Sequence, residues 1–96
     1  MTERLSVVFR LDEEEQIRVV GRVAWTLLQL IEAGQAGCTP IERPAPRWSD
    51  YVFQLRALGV HIETISEKHV GPFPGNHGRY VLRSNVELLS KNGASA

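Results

Sequence analysis

The chain has 96 residues, of which 43% are hydrophobic, enough for one compact domain and too few for two. Its formal net charge is zero, so composition alone does not indicate a nucleic-acid partner. The single cysteine excludes an internal disulfide framework, and no apolar run approaches the roughly 20 residues of a membrane span. The N-terminus also lacks the basic and apolar regions of a signal peptide, so we expect a soluble, cytoplasmic protein without a membrane partner.

Positive charge is concentrated in the second half of the chain. Residues 43–83 contain six Lys or Arg, three acids and all three histidines. This segment is therefore the better candidate for contact with an anionic partner. Ordinary surface variation is the alternative explanation for so small an excess.

Residues 5–20 are predicted to form an N-terminal β-hairpin. Apolar residues alternate with polar or smaller ones over 5–9 and again over 17–19, which is strand periodicity. The acidic segment LDEEEQ between them suits a turn better than a core. One long helix over 12–32 is the alternative, but the β-branched run IRVV and Gly21 disfavour it.

The pattern then becomes helical and predicts a first helix over residues 22–33. Gly34 and Gly37 are the expected C-terminal stop signals of this helix. Thr39 before Pro40 is typical of a helix N-cap and first helical position, so a single short helical turn is expected at 40–42.

A second helix is predicted over residues 47–58, closed by Gly59. Its projection separates an apolar face from a mostly polar one. The apolar face contains Trp48, Tyr51, Val52, Leu55 and Leu58. The other contains Ser49, Asp50, Phe53, Arg56 and Ala57, with Gln54 at the border.

Residues 61–83 are predicted to form a C-terminal β-hairpin, since HIETISEK and RYVLRS both alternate. The loop HVGPFPGNHGRY (69–80) joins them, and its prolines cannot extend a ladder in both directions. The segment 91–96 is expected to be a flexible tail, so residues 1–90 form the predicted single domain.

The Gly-rich loop does not match a phosphate-binding or metal-binding site. It lacks the GxxxxGK[ST] pattern and leads into a strand, whereas a phosphate loop opens a helix. His69 and His77 are too far apart in sequence for the usual close ligand pair of zinc. Cys38 beside a helix start could have a lowered thiol pKa, but no catalytic partner accompanies it, and a small buried residue is the favoured interpretation. We therefore expect no enzyme, cofactor, metal or small-molecule substrate.

The order helix, turn, helix and hairpin is that of a winged helix, and the segment from GRVAWTLLQLIEAG to GRYVLRS resembles small winged-helix proteins of bacterial and phage genomes. The matching stretches are AWTLLQLIEAG, LRALGVHIET and GRYVLRS, and the likeness covers about two-thirds of the chain. Together with the N-terminal β-hairpin predicted from periodicity, it implies an α+β winged helix-turn-helix fold with two main helices, one short helical turn and a C-terminal wing. It also implies a DNA-binding helix at 48–58 and a wing at 61–83.

Side chains on that helix and wing are the predicted contacts to double-stranded DNA. Arginines and lysines suit phosphates, whereas serine and amide side chains suit phosphates or base edges, and an acid can accept from cytosine. The candidates are Arg47, Ser49, Asp50, Gln54, Arg56, Lys68, His69, Asn76, His77 and Arg79.

Two functions remain open at this point. The first is a DNA-binding regulator of transcription or of a phage or mobile element. The second is a protein-interaction or homodimerisation module without DNA binding, which the neutral charge and the short middle turn favour. Phe53 and Phe73 are either packed within the molecule or contact a partner, while Trp25 and Trp48 are expected in the core.

Overall fold

The computed structural model describes residues 4–70 and 75–93. Within them the elements are β1 (Ser6–Leu11), β2 (Glu15–Val20), α1 (Gly21–Ala33), a 3₁₀ turn (Gly34–Ala36), α2 (Trp48–Ala57), β3 (Ile62–His69), β4 (Gly75–Leu82) and β5 (Val86–Asn92). The predicted α+β winged-helix arrangement, with an N-terminal hairpin, two main helices and a wing, is confirmed.

The N-terminal hairpin forms as predicted. β1 and β2 pair antiparallel from Ser6 opposite Val20 to Leu11 opposite Glu15. Asp12 and Glu13 have φ values of 51° and 64°, and the Glu14 N–H donates to the Leu11 carbonyl. Two consecutive positive φ angles match the twist that a tight hairpin requires. The alternative of one helix over 12–32 is therefore wrong.

β5 is an element that the sequence did not indicate. It pairs antiparallel with β1, with Asn92 opposite Ser6, so the sheet order is β2-β1-β5. Lys91 and Asn92 thus lie in a strand rather than in the predicted tail, while 94–96 fall outside the described residues. β1, with strands on both sides, places Val7 and Phe9 in the centre of the core, where neither is exposed.

α1 packs its apolar stripe against this sheet. Ala24, Leu27 and Leu30 are fully buried, and the hydroxyl of buried Thr26 donates to the Arg22 carbonyl at 2.8 Å. The helix ends where Gly34 adopts a φ of 57° and donates its N–H to the Leu30 carbonyl.

The segment after α1 connects the helices to the wing. Cys38 exchanges backbone hydrogen bonds with Tyr80 of β4 at 3.0 and 2.9 Å. Thr39 then accepts the Glu42 N–H on its hydroxyl at 3.1 Å and the Arg43 N–H on its carbonyl at 3.0 Å. This is the predicted single capped turn.

The wing lies within the predicted range 61–83, but its strands are longer and its loop is shorter than predicted. β3 and β4 pair from Ile62 opposite Leu82 to His69 opposite Gly75, so 75–78 belong to a strand rather than to the loop. Glycine suits this strand at Gly78, where a Cβ would lie 3.0 Å from Thr64 Cγ2. The loop tip 71–74, with Phe73, lies outside the described residues.

The two tryptophans sit at the junction of α1, α2 and the wing. Trp48 is 2% exposed, as predicted, and stacks on Tyr80 with ring centroids 5.6 Å apart. Trp25 contacts Trp48 edge-on at 5.7 Å but is only half-buried at the border of the core. No helix within 4–70 or 75–93 is long and apolar enough to cross a membrane.

Candidate nucleic-acid interface

α2 lies between the wing and the N-terminal hairpin and turns one face to solvent. Its buried face is formed by Trp48, Tyr51, Val52 and Leu55, as its amphipathic pattern predicts. Leu58, predicted on the same face, is instead the C-cap residue and is 39% exposed. The opposite face carries the predicted DNA contacts of this helix. Arg56 reaches the wing on one side, and Gln54 lines a depression shared with β2 on the other.

The start of α2 presents Arg47 and Ser49 to solvent. Arg47 is the N-cap residue, and its carbonyl accepts the Tyr51 N–H at 3.1 Å. Its side chain makes no ion pair with any residue in the described parts of the chain. Both side chains are therefore available to an external partner.

Asp50 and Gln54 form a pair one helical turn apart. The Gln54 amide donates to the Asp50 carboxylate at 3.0 Å. This hydrogen bond orients the amide on the helix surface. It also satisfies part of the hydrogen-bonding capacity of the Asp50 carboxylate, which is the only acidic group on this helix.

Arg56 has an internal role. Its guanidinium donates to the Ile62 carbonyl at 2.6 and 3.2 Å and to the Thr64 hydroxyl at 2.8 Å. These bonds hold the end of α2 against the first strand of the wing. The geometry does not leave this side chain free for phosphate.

The outer part of the wing presents Lys68 and Asn76. They occupy paired positions on β3 and β4, and both are exposed. In the described chain Lys68 makes no ion pair. His69 lies at the end of β3, opposite Gly75, but its side chain is outside what the structure describes.

His77 and Arg79 belong instead to an ion-pair cluster at the base of the wing. Arg79 donates to Glu67 at 2.5 Å, to Glu42 at 3.2 Å and to the Ala36 carbonyl at 3.1 Å. His77 lies 3.1 Å from the other oxygen of Glu67. The cluster joins β3 and β4 to the 3₁₀ turn and the capped turn.

The electrostatics of this cluster favour the charged forms of Arg79 and its two carboxylate partners. Hydrogen bonds from Arg79 lower the pKa of both the Glu67 and Glu42 carboxyls, and the two carboxylates raise the pKa of Arg79. One guanidinium is thus neutralised by two acids. A guanidinium that is already paired with two carboxylates is a poor phosphate ligand. Arg79 therefore stabilises the packing of the wing against the segment that follows α1.

The sequence pattern did not identify the acidic residues that pair with Arg79 and His77. The signal for Glu67 was the hairpin register, which places it opposite His77 and diagonal to Arg79. Glu42 is 37 residues from Arg79 in the chain, and no local pattern indicates that contact. Arg43 also has partners in α1, namely Glu32 at 3.2 Å and Gln29 at 2.7 Å.

Cys38 is a core residue. Its side chain is fully buried and free of a disulfide, and burial raises the pKa of the thiol. The lowered thiol pKa that was considered for a cysteine at a helix start is therefore not found for Cys38. In the described parts of the chain, no three His, Cys, Asp or Glu side chains form a cluster that could hold a metal ion.

Comparison with protein families identifies the class. A family model described as a winged helix domain matches residues 16–92. The chain therefore belongs to the winged helix domain family, and its β3–β4 hairpin is the C-terminal wing. No curated protein and no solved structure gives a match.

Proposed function

We propose that this protein binds double-stranded DNA and regulates transcription or the activity of a phage or mobile element. The observation that carries the proposal is the presence of two sets of exposed polar side chains on the winged-helix frame, one on α2 and one on the wing. Arg47 and Ser49 are exposed at the start of α2, and Lys68 and Asn76 are exposed on the wing. Winged-helix domains are typically DNA-binding modules, and the proposal includes no catalytic step.

In the proposed complex α2 enters the major groove and the wing contacts the adjacent backbone or minor groove. Arg47 and Lys68 bind phosphates, while Ser49 and Gln54 bind phosphates or base edges. His69 is retained as a predicted wing contact. Arg56 and Arg79 are assigned to holding α2 and the wing in place, because their guanidinium groups are engaged internally.

Arg47→Ala is expected to weaken DNA binding and to reduce its salt dependence. Loss of one phosphate contact lowers the magnitude of the slope of log K against log salt concentration by about 0.9. The measurement is a fluorescence-anisotropy titration of a labelled mixed-sequence duplex at several salt concentrations. Affinity at low salt should fall several-fold.

Arg10→Ala is the matched control, because it removes the same charge from β1, where Arg10 pairs with Glu87 at 3.0 Å. Its slope should equal that of the unaltered protein. Absence of duplex binding at about 50 mM salt, or equal slopes for Arg47→Ala and Arg10→Ala, would contradict the proposal.

A second candidate function is a protein-interaction module or homodimer that does not bind DNA. The observation that favours it is β2, an edge strand of the sheet with Val20 39% exposed at its end. An edge strand offers unpaired backbone groups to another chain. Sedimentation at several concentrations separates the two functions, since a strictly monomeric protein that binds duplex DNA excludes the second.

A further inference from the structure

Phe53 is the most exposed aromatic side chain within residues 4–70 and 75–93, with 69% of its surface accessible. It lies on the solvent face of α2, one turn from Ser49 and one turn from Ala57. Both neighbours are small. Along this stripe of the helix the phenyl ring is therefore the only large projection.

The ring is supported on one side by the body of the protein. Phe53 lines a depression of about 360 Å³ together with Val20, Val23 and Leu58. This apolar wall connects α2 to the end of β2 and the start of α1. The support restricts where the ring lies, while most of its surface still faces outward.

Two arginines beside this stripe have hydrogen-bond partners within the protein. Arg18 lines the same depression, and its Nε donates to the Ser6 hydroxyl at 3.0 Å. Arg56 is turned toward the wing by its bonds to the Ile62 carbonyl and the Thr64 hydroxyl. Gln54 is held by Asp50 on the other flank. The large apolar side chain that α2 exposes to a partner on this face is therefore the Phe53 ring.

We propose that Phe53 is a specificity-determining residue that contacts the 5-methyl groups of thymine in the major groove. This inference rests on the proposed DNA binding. Thymine alone among the four bases presents a methyl group there, and an aromatic ring without donors or acceptors recognises it by apolar contact. The small residues on either side of Phe53 let the helix backbone come close enough for that contact.

The test replaces thymine by uracil, which removes the methyl group and keeps base pairing. Duplexes that bind the unaltered protein are first selected from a random library, and each thymine in the selected site is then substituted in turn. Uracil at one or more positions should weaken binding of the unaltered protein about four-fold for each methyl lost from contact. Phe53→Ala should bind thymine and uracil duplexes equally.

Arg47→Ala is the control variant, because it should lose affinity for both duplexes and keep the preference for thymine. The inference is overturned if the unaltered protein binds DNA without a thymine preference, or if Phe53→Ala retains that preference. It is also overturned if the protein self-associates through Phe53, seen as a dimer in sedimentation that Phe53→Ala converts to monomer. Failure to bind any duplex would reject the proposed function itself, which is a different result from binding without methyl discrimination.

Discussion

Trp48→Ala is expected to lower the free energy of unfolding by about 3–5 kcal/mol. Trp48 begins α2, is 2% exposed and stacks on Tyr80 of the wing with an angle of 7° between the rings. It also contacts Trp25 of α1, and its Nε1 donates to the Arg43 carbonyl at 2.7 Å. Removing it creates a cavity where both helices meet the wing. Urea denaturation followed by circular dichroism measures the loss.

Trp48→Phe is the matched variant, since it keeps a buried ring and loses the Nε1 donor and part of the packing. We expect it to cost less than half of the Trp48→Ala loss. A domain of this size has a total stability of about 5–15 kcal/mol, so the Trp48→Ala loss is a substantial fraction of the total. A change of less than about 1 kcal/mol for Trp48→Ala would contradict the packing described.

Gly37→Ala is expected to produce the second large loss of stability. Gly37 has a φ of 70° and a ψ of −179°, a conformation that side chains disfavour by about 1–3 kcal/mol. A Cβ there would also lie 2.7 Å from the Tyr80 carbonyl oxygen, where the chain pairs with β4. Relieving that overlap adds about 1–3 kcal/mol. Thermal and urea unfolding both measure the combined loss in the free energy of unfolding.

Gly34→Ala isolates the backbone contribution. Gly34 has a comparable φ of 57°, but a Cβ built on it would have no other atom within 4 Å. The free energy of unfolding should fall about half as much in Gly34→Ala as in Gly37→Ala. Equal losses for the two variants would contradict a steric clash between a Cβ at position 37 and β4.

The helices and the first hairpin were predictable because their signals are local. The 3.6-residue periodicity of α1 and α2, the alternation in β1 and β2, and the Thr39-Pro40 cap each lie within a short window of sequence. The structure places α1 at Gly21–Ala33 and α2 at Trp48–Ala57, within one residue of the predicted bounds.

β5 was not predictable, because its pairing depends on the free edge of β1 at the other end of the chain. Its residues alternate poorly, and most remain exposed, so no local hydrophobic pattern indicates a strand. The wing strands were predicted too short for a related reason, since β4 incorporates Gly75 and Gly78 through backbone pairing with β3.

The candidate DNA contacts also divide into residues whose exposure the local sequence predicts and residues whose role depends on tertiary structure. The exposure of Ser49 follows from its place on the mostly polar face of α2, which the sequence pattern predicts, and Arg47 is exposed at the N-cap. The internal roles of Arg56 and Arg79 depend on acceptors brought near by tertiary structure, including the Ile62 carbonyl and Glu42. A basic residue in a sequence is a potential phosphate ligand only until the fold supplies it with another partner.

The most direct test of DNA binding by α2 and the wing is an amide chemical-shift titration of the ¹⁵N-labelled protein with a mixed-sequence duplex at about 50 mM salt. We expect the largest shifts at residues 47–54 and at Lys68 and Asn76, with smaller changes on the outer face of the sheet. Shifts confined to β2, or no shifts at all at saturating duplex, would contradict it.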